Sequence, residues 1–269
     1  MERRRLVFGA TWFVMVGLLG LAFFRFTDSR IKSPDAAAEE EAVLTVVATS
    51  SPSLIQTTDT AVAAQRPVTE KPKPLPVRVK LDVPFVTETP DGVWNGPWKN
   101  ACEEASLVMV EALYLGKSEL PAAEAKKRMT ELFAIQDEIW KSNANSDAAR
   151  TAKIANDHMA FKAVLSEAPT LDQVKRELAA GHPVIAPVNG KELGNPNIPF
   201  LASGSFYHML VITGYDDATG EFITNDDGDE KAGAGRRYKY GPFLVSVHDY
   251  VYRTKTTDGP MRMILTSEK

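Results

Sequence analysis

Hydrophobic periodicity changes character once along this chain, and that change limits the possible folds more than any other feature. Between residues 102 and 181 apolar residues recur at helical spacing, with Ala105, Val108, Met109, Ala112 and Leu113 on one face of a first segment over 102–115. Gly116 is placed to end that helix. Pro121 stands at a first-turn position before a second helix over 122–142, and a third covers 148–163. Thr170 suits the N-cap of a fourth helix over 171–180, closed by Gly181. From residue 183 the pattern becomes β-rich, with runs at 183–188, 208–215, 221–224 and 261–266. Residues 79–85 read as an opening strand and 241–250 as one more short helix. Helices come first and strands second, so the expected class is α+β with a mainly antiparallel sheet.

Two segments precede that domain. Arg3-Arg4-Arg5 lead into an uncharged apolar run over 6–24, closed by Arg25. About 20 apolar residues are needed to span a bilayer as a helix, and the run meets that length. Arginines on its N-terminal side put the N-terminus in the cytoplasm and the rest outside it. Residues 1–26 are therefore expected to be a cytoplasmic stub and signal-anchor. A cleaved signal peptide is the alternative, but the run exceeds a typical h-region of about 7–15 residues, and no clean small-x-small site precedes Arg25. Residues 27–77 carry an Ala/Glu block, a Ser/Thr stretch and a proline-rich end (Pro67, Pro72, Pro74, Pro76) with few aromatics. Such a segment cannot bury enough apolar surface to offset its ordering entropy and reads as a disordered linker. Its random-coil span of roughly 40 Å would let the domain at 78–269 work at a distance from the membrane. The formal net charge of -4 offers no electrostatic reason to expect nucleic acid as a partner. The sequence leaves the oligomeric state open.

Cys102 is the only cysteine. That excludes an internal disulfide and Cys-rich zinc sites. It stands where a Gly/Pro/Trp loop (Gly96-Pro97-Trp98-Lys99-Asn100-Ala101) becomes the first helix. A helix start favours thiolate over thiol, although Glu103 and Glu104 oppose that. A lone buried cysteine is more often packing than chemistry. A catalytic one needs a base, and there are four histidines. His158 lies in a polar helical stretch, His182 follows a helix-ending glycine, and His248 sits near the end of the last short helix. His208 instead opens an apolar strand after the loop Gly204-Ser205-Phe206-Tyr207, where it can face a cleft. The turn 216–220 folds the next strand back beside it, which returns Asn225 and Asp226 to its neighbourhood. Either could orient the imidazole, and strand alternation aims only one of them correctly. Cysteine at a helix start, then histidine and Asn/Asp on neighbouring strands, is the chain order of papain-like thiol hydrolases. The acidic run Asp226-Asp227-Gly228-Asp229-Glu230 could be a calcium loop, but it lacks the glutamate at position 12 of an EF-hand and reads as an acidic turn. Trp94 and Trp98 could form a cleft wall or pack in the core.

The segments Leu81-Asp82-Val83-Pro84-Phe85, Ala101-Cys102-Glu103-Glu104-Ala105-Ser106, Gly181-His182-Pro183-Val184, Asn195-Pro196, Tyr207-His208-Met209-Leu210 and Phe222-Ile223-Thr224-Asn225-Asp226 together resemble a bacterial family. It is the cysteine peptidase family numbered thirty-nine with its stand-alone relatives, akin to the double-glycine, bacteriocin-leader-processing peptidases. The resemblance implies a papain-like fold, a peptide or protein substrate, no metal and no organic cofactor. Its catalytic Cys, His and Asp fall on Cys102, His208 and Asp226. The family's oxyanion glutamine falls on Glu88, a carboxylate that has no donor when ionised. The backbone N–H of Cys102 or the Asn100 side chain could serve there instead. Asp227 stands where the family usually has proline. Nothing in the sequence suggests the transporter domain that accompanies some members, so leader removal coupled to export is not expected. The rival readings are a peptide-binding module that has lost catalysis, and a cell-wall amidase or acyl-transfer enzyme using the same three residues.

Overall fold

A computed structural model describes residues 74–198 and 206–269. The apolar run at 6–24 and nearly all of the expected linker lie outside these residues. Among the described residues no helix is long and apolar enough to cross a membrane. The ordered contacts begin slightly before the expected domain start: Tyr215 donates to the Pro76 carbonyl at 2.7 Å and Asp217 N–H to Val77 O at 2.9 Å.

Three helices form the first layer: α1 (Cys102–Tyr114), α2 (Ala122–Trp140) and α3 (Ala148–His158). The end of α1 follows from Gly116, whose φ of 69° no β-substituted residue adopts cheaply. Gly116 N–H bonds Leu113 O and Lys117 N–H bonds Ala112 O, which satisfies the last carbonyls of the helix. Asp147 caps α3 by accepting from Arg150 N–H at 2.8 Å. Helix α3 is shorter than the expected segment over 148–163. It stops at His158, and Phe161–Glu167 is strand β2. Phe161 and Ala163 are buried while Lys162 and Val164 point to solvent, a period of two that pairs along its whole length with the last strand.

Helix α4 (Leu171–Ala179) follows, with Thr170 Oγ1 accepting from Gln173 N–H at 3.2 Å as its cap. Then come β3 (Val184–Asn189), the short α5 (Gly190–Leu193), β4 (Tyr207–Asp216), β5 (Glu221–Asn225), β6 (Ala234–Lys239), α6 (Tyr240–Ser246) and β7 (Arg262–Glu268). Strand β6 was not expected. Its run Ala-Gly-Arg-Arg-Tyr-Lys has no apolar face, because it is the outer strand and its charges face water. The opening strand is shorter than expected, with β1 only Arg78–Lys80. Beyond it the Val83 carbonyl accepts from the Asn225 side chain at 3.0 Å rather than from a strand, and Pro84 has no N–H to give.

The sheet is antiparallel throughout, in the order β2-β7-β3-β4-β5-β6, with β1 paired to the far end of β4. Gly214 is required where β1 crosses β4, since a Cβ there would lie 2.2 Å from Val79 O. Every residue of β4 is buried. Met209 and Val211 pack towards α1, α2 and α3, while Leu210 and Ile212 join Val174, Leu178 and Phe243 in a second core on the other face. The first helix layer therefore presses the start of α1 against the start of β4. This matches the α+β class expected from the change of period.

Candidate active site

A five-residue 3-10 turn, Gly96–Asn100, delivers the chain to Ala101, and Cys102 is the first residue of α1. Cys102 and Ser106 lie four residues apart on α1 and so share one face. Both are buried, at 3% and 0% exposure. Ser106 Oγ donates to Asp227 Oδ2 at 3.1 Å, which ties that face of α1 to the corner just after β5.

His208 and Asp226 meet at the same corner. Antiparallel pairing of β4 with β5 carries the chain back past His208, and His208 Nε2 lies 2.8 Å from Asp226 Oδ1 with both side chains buried. The other carboxylate oxygen accepts from Asn195 Nδ2 at 2.8 Å and from the Tyr238 hydroxyl. Asp227 Oδ1 lies 3.8 Å from His208 Nε2. Asn225, the alternative orienting group, points away. Its amide donates to Val83 O and its oxygen accepts from Gly235 N–H at 3.3 Å. Alternation therefore separates the two neighbours, with Asp226 on the histidine and Asn225 on the opening segment. Gly233 makes the corner possible, since a Cβ there would lie 2.0 Å from Asp226 O.

Glu88 completes the cluster. Its N–H donates to Asp227 O at 3.0 Å, and its side chain is 2% exposed. Glu88 Oε1 and His208 Cε1 both lie 3.1 Å from the point where Gly228 would carry a Cβ. Burial lifts the Glu88 carboxyl to about 7, against the pull of the His208 charge and a bond from Ala101 N–H. The protonated form carries an O–H that can donate, a property the ionised form lacks. Asn100 is half-buried at the end of the 3-10 turn.

The electrostatics of the three expected catalytic residues diverge. Burial lowers the His208 pKa, but the Asp226 bond and the charges of Asp226 and Glu88 outweigh it, and the net shift is upward. Burial raises the Asp226 carboxyl, and His208, Tyr238 and Asn195 more than reverse that. Cys102 is pushed well up by burial and then by Glu103, Glu88 and Asp227. Its thiol donates to Glu103 Oε2 at 3.2 Å. The helix start was expected to favour thiolate. Instead burial, and after it the surrounding carboxyls, favour the thiol form. Burial also raises Glu103 to about 8 and Glu104 well above its ordinary value.

The remaining candidates have structural roles. His182 bonds Glu177 at 3.1 Å and His248 bonds Gly259 O at 3.1 Å. In the acidic turn Asp229 accepts from Lys231 and Ala232 N–H, from Asn197 and from Arg236, so its oxygens are already used. Trp98 packs on Phe133, with ring centroids 5.4 Å apart. Trp94 lines a cavity of about 250 Å³ with Pro196, Asn197, Gly228 and Glu230. Sequence reading missed Ser106, Asn195 and Tyr238 as supports of the site. Ser106 was legible as the position four after Cys102. Tyr238 was hidden because its strand was not expected. Among the described residues Glu88, His208 and Asp227 form the group able to hold a metal ion, each offering one ligand atom within 4.8 Å of the others.

The Peptidase_C39 like family matches residues 80–256, which includes every residue of the site. No curated protein matches. Among solved structures, one described as a C39-like peptidase from Bacillus anthracis is 15% identical, with a TM-score of 0.46, over 71% of this chain and 98% of its own. Xylellain, a cysteine protease from Xylella fastidiosa, is 12% identical, with a TM-score of 0.31, over 73% of this chain and 87% of its own.

Proposed function

The chain belongs to the Peptidase_C39 like family, and on that premise we propose that it is a membrane-anchored, extracytoplasmic cysteine peptidase that hydrolyses peptide bonds through Cys102, His208 and Asp226. The observation that carries the reading is the buried corner itself. Ser106 ties the Cys102 face of α1 to Asp227, and Asp227 adjoins the His208–Asp226 pair. The anchor rests on the apolar run at 6–24 and its flanking arginines.

In the reaction Cys102 Sγ turns from Glu103, passes its proton to His208 and bonds to the carbonyl carbon of the scissile peptide. Asp226 holds the ring and balances the imidazolium. The oxyanion of the tetrahedral intermediate takes donors from the Cys102 N–H and from protonated Glu88. Collapse breaks the C–N bond, the imidazolium proton leaves with the amine, and a thioester remains. Water then gives a proton to His208 and its oxygen to the acyl carbon, releasing the acid and returning the proton to the thiol.

One observation favours a second reading, a peptide-binding module without catalysis. The resting thiol is buried, neutral and bonded to Glu103. The two are separated by offering the full-length chain a fluorogenic peptide library beside its Cys102→Ala variant. The peptidase reading expects turnover that falls at least about 10⁴-fold in the variant. Equal turnover, or capture of peptides without cleavage, would overturn it.

A further inference from the structure

We propose that Glu88, His208 and Asp227 form a zinc-binding site, and that zinc there holds the peptidase off by occupying its histidine. The second half rests on the peptidase reading; the first does not.

Three distant segments supply the ligands: the loop after β1, the start of β4 and the turn after β5. All three side chains are buried, at 2%, 2% and 0% exposure. The two oxygens of Asp227 are treated differently. Oδ2 accepts from Ser106, but Oδ1, the one facing His208, has no hydrogen-bond donor. A buried carboxylate oxygen without a donor is costly, and metal coordination is one way to satisfy it.

Gly228 is the independent sign of room for an ion. Its φ is not in the left-handed region, so the backbone there does not call for glycine. A Cβ would instead meet Ile198 Cδ1 at 3.0 Å and Glu88 Oε1 and His208 Cε1 at 3.1 Å each, crowding two of the ligands. Gly228 also lines the cavity beside Trp94 and Pro196.

The chemistry of the donors selects the metal. One imidazole and two carboxylates suit zinc, whereas calcium and magnesium prefer oxygen alone. Three protein ligands leave the open fourth position common at zinc sites that keep a water. Asp226, already on Nε2 of His208, is the kind of carboxylate partner that metal-bound histidines carry on their second nitrogen.

The test uses the full-length chain carrying Cys102→Ala, which removes the thiol as a competing ligand. The protein is stripped with a chelator and titrated with zinc chloride by calorimetry. One ion per chain is expected, with binding at least about 10-fold weaker in Asp227→Asn and in Glu88→Gln, and none for calcium chloride. Thermal melts identify any variant that fails to fold, and the other variant then decides. No saturable binding, equal binding of calcium, or affinity unchanged in the folded variants would overturn the site. The switch is read on the chain with Cys102 intact, as the rate of thiol alkylation. Zinc should slow labelling at least about 10-fold, reversibly with chelator, and Asp227→Asn should abolish the protection. Labelling unaffected by saturating zinc overturns the switch. Absence of peptide turnover in chelator-treated protein overturns the peptidase reading and leaves the calorimetric result standing.

Discussion

Two acid-rich regions of this molecule behave in opposite ways. At the β5–β6 edge, Glu221 sits 3.0 Å from both Arg237 and Lys239, and Asp216 sits 3.1 Å from Arg237. Lys239, Thr219 and Arg237 hold the Glu221 carboxyl down to about 2. At the start of α1, Glu103 and Glu104 are buried with a backbone N–H, a side-chain amide and a thiol as neighbours, and no lysine or arginine among the described residues bonds them. Burial holds Glu103 up at about 8. The edge is arranged for stability. The buried cluster keeps acids where stability alone would remove them, which is how sites under functional demand are recognised.

The hardest test of that contrast is Asp226→Asn. It keeps the shape of the side chain and removes the charge beside His208, and turnover is expected to fall about 10³–10⁴-fold in steady-state assays. Turnover within threefold of the unaltered chain would detach the buried cluster from chemistry. Next come two glycines. Gly214→Ala and Gly233→Ala each force a Cβ to within 2.2 Å or less of a backbone oxygen, and each is expected to cost about 2–4 kcal/mol in urea unfolding. They should differ in activity per folded molecule. Gly214 sits under β1, away from the site, and its variant should keep full activity. Gly233 supports Asp226, and its variant should not.

A smaller effect comes from pH. The Glu103 carboxyl is raised in the folded state, so folding favours its protonated form. Stability is then highest below about pH 4.5, the ordinary value of the group, and is lost as pH rises towards about 8, the folded value. Glu103→Gln should flatten this dependence and stabilise the chain at pH 9 by something on the order of 2 kcal/mol, read as a shift in urea midpoint. A steeper profile in the variant would break the comparison. The smallest effect is at the edge. The Glu221 carboxyl is depressed, so its contribution is present above its ordinary value of 4.5 and lost as pH falls towards about 2. Glu221→Gln should cost under about 1 kcal/mol at pH 7 in the same measurement, since the pair is open to solvent.

The sequence made the scaffold legible wherever a local rule decided the outcome. Gly116 and Thr170 end and begin helices as their chemistry requires, and the hairpin turn brings Asp226 back to His208. It failed where partners distant in the chain decide. Phe161–Glu167 is a strand because β7 pairs with it, about a hundred residues later. Leu81 N–H still reaches Thr213 O of β4, but residues 82–85 leave the sheet, with the Val83 carbonyl taken by the Asn225 side chain. The polar run of β6 shows no apolar period because it is the outer strand and none of its residues is buried. At the site, the residue types were visible in the chain, but the state of the thiol was not. Whether a helix dipole or a set of carboxyls wins depends on which side chains are buried together, and only the folded arrangement brings Glu88 and Asp227 within reach of Cys102.

The sheet order has a consequence for the timing of synthesis. Strand β7 comes last in chain order, yet it lies between β2 and β3. A ribosome finishes Cys102, His208 and Asp226 well before it reaches Arg262–Glu268, and until then the unpaired edges of β2 and β3 have no partner. A nascent chain therefore carries every reacting atom without the sheet that holds them in register. On the proposed peptidase reading, cleavage begins only after translation has passed that strand.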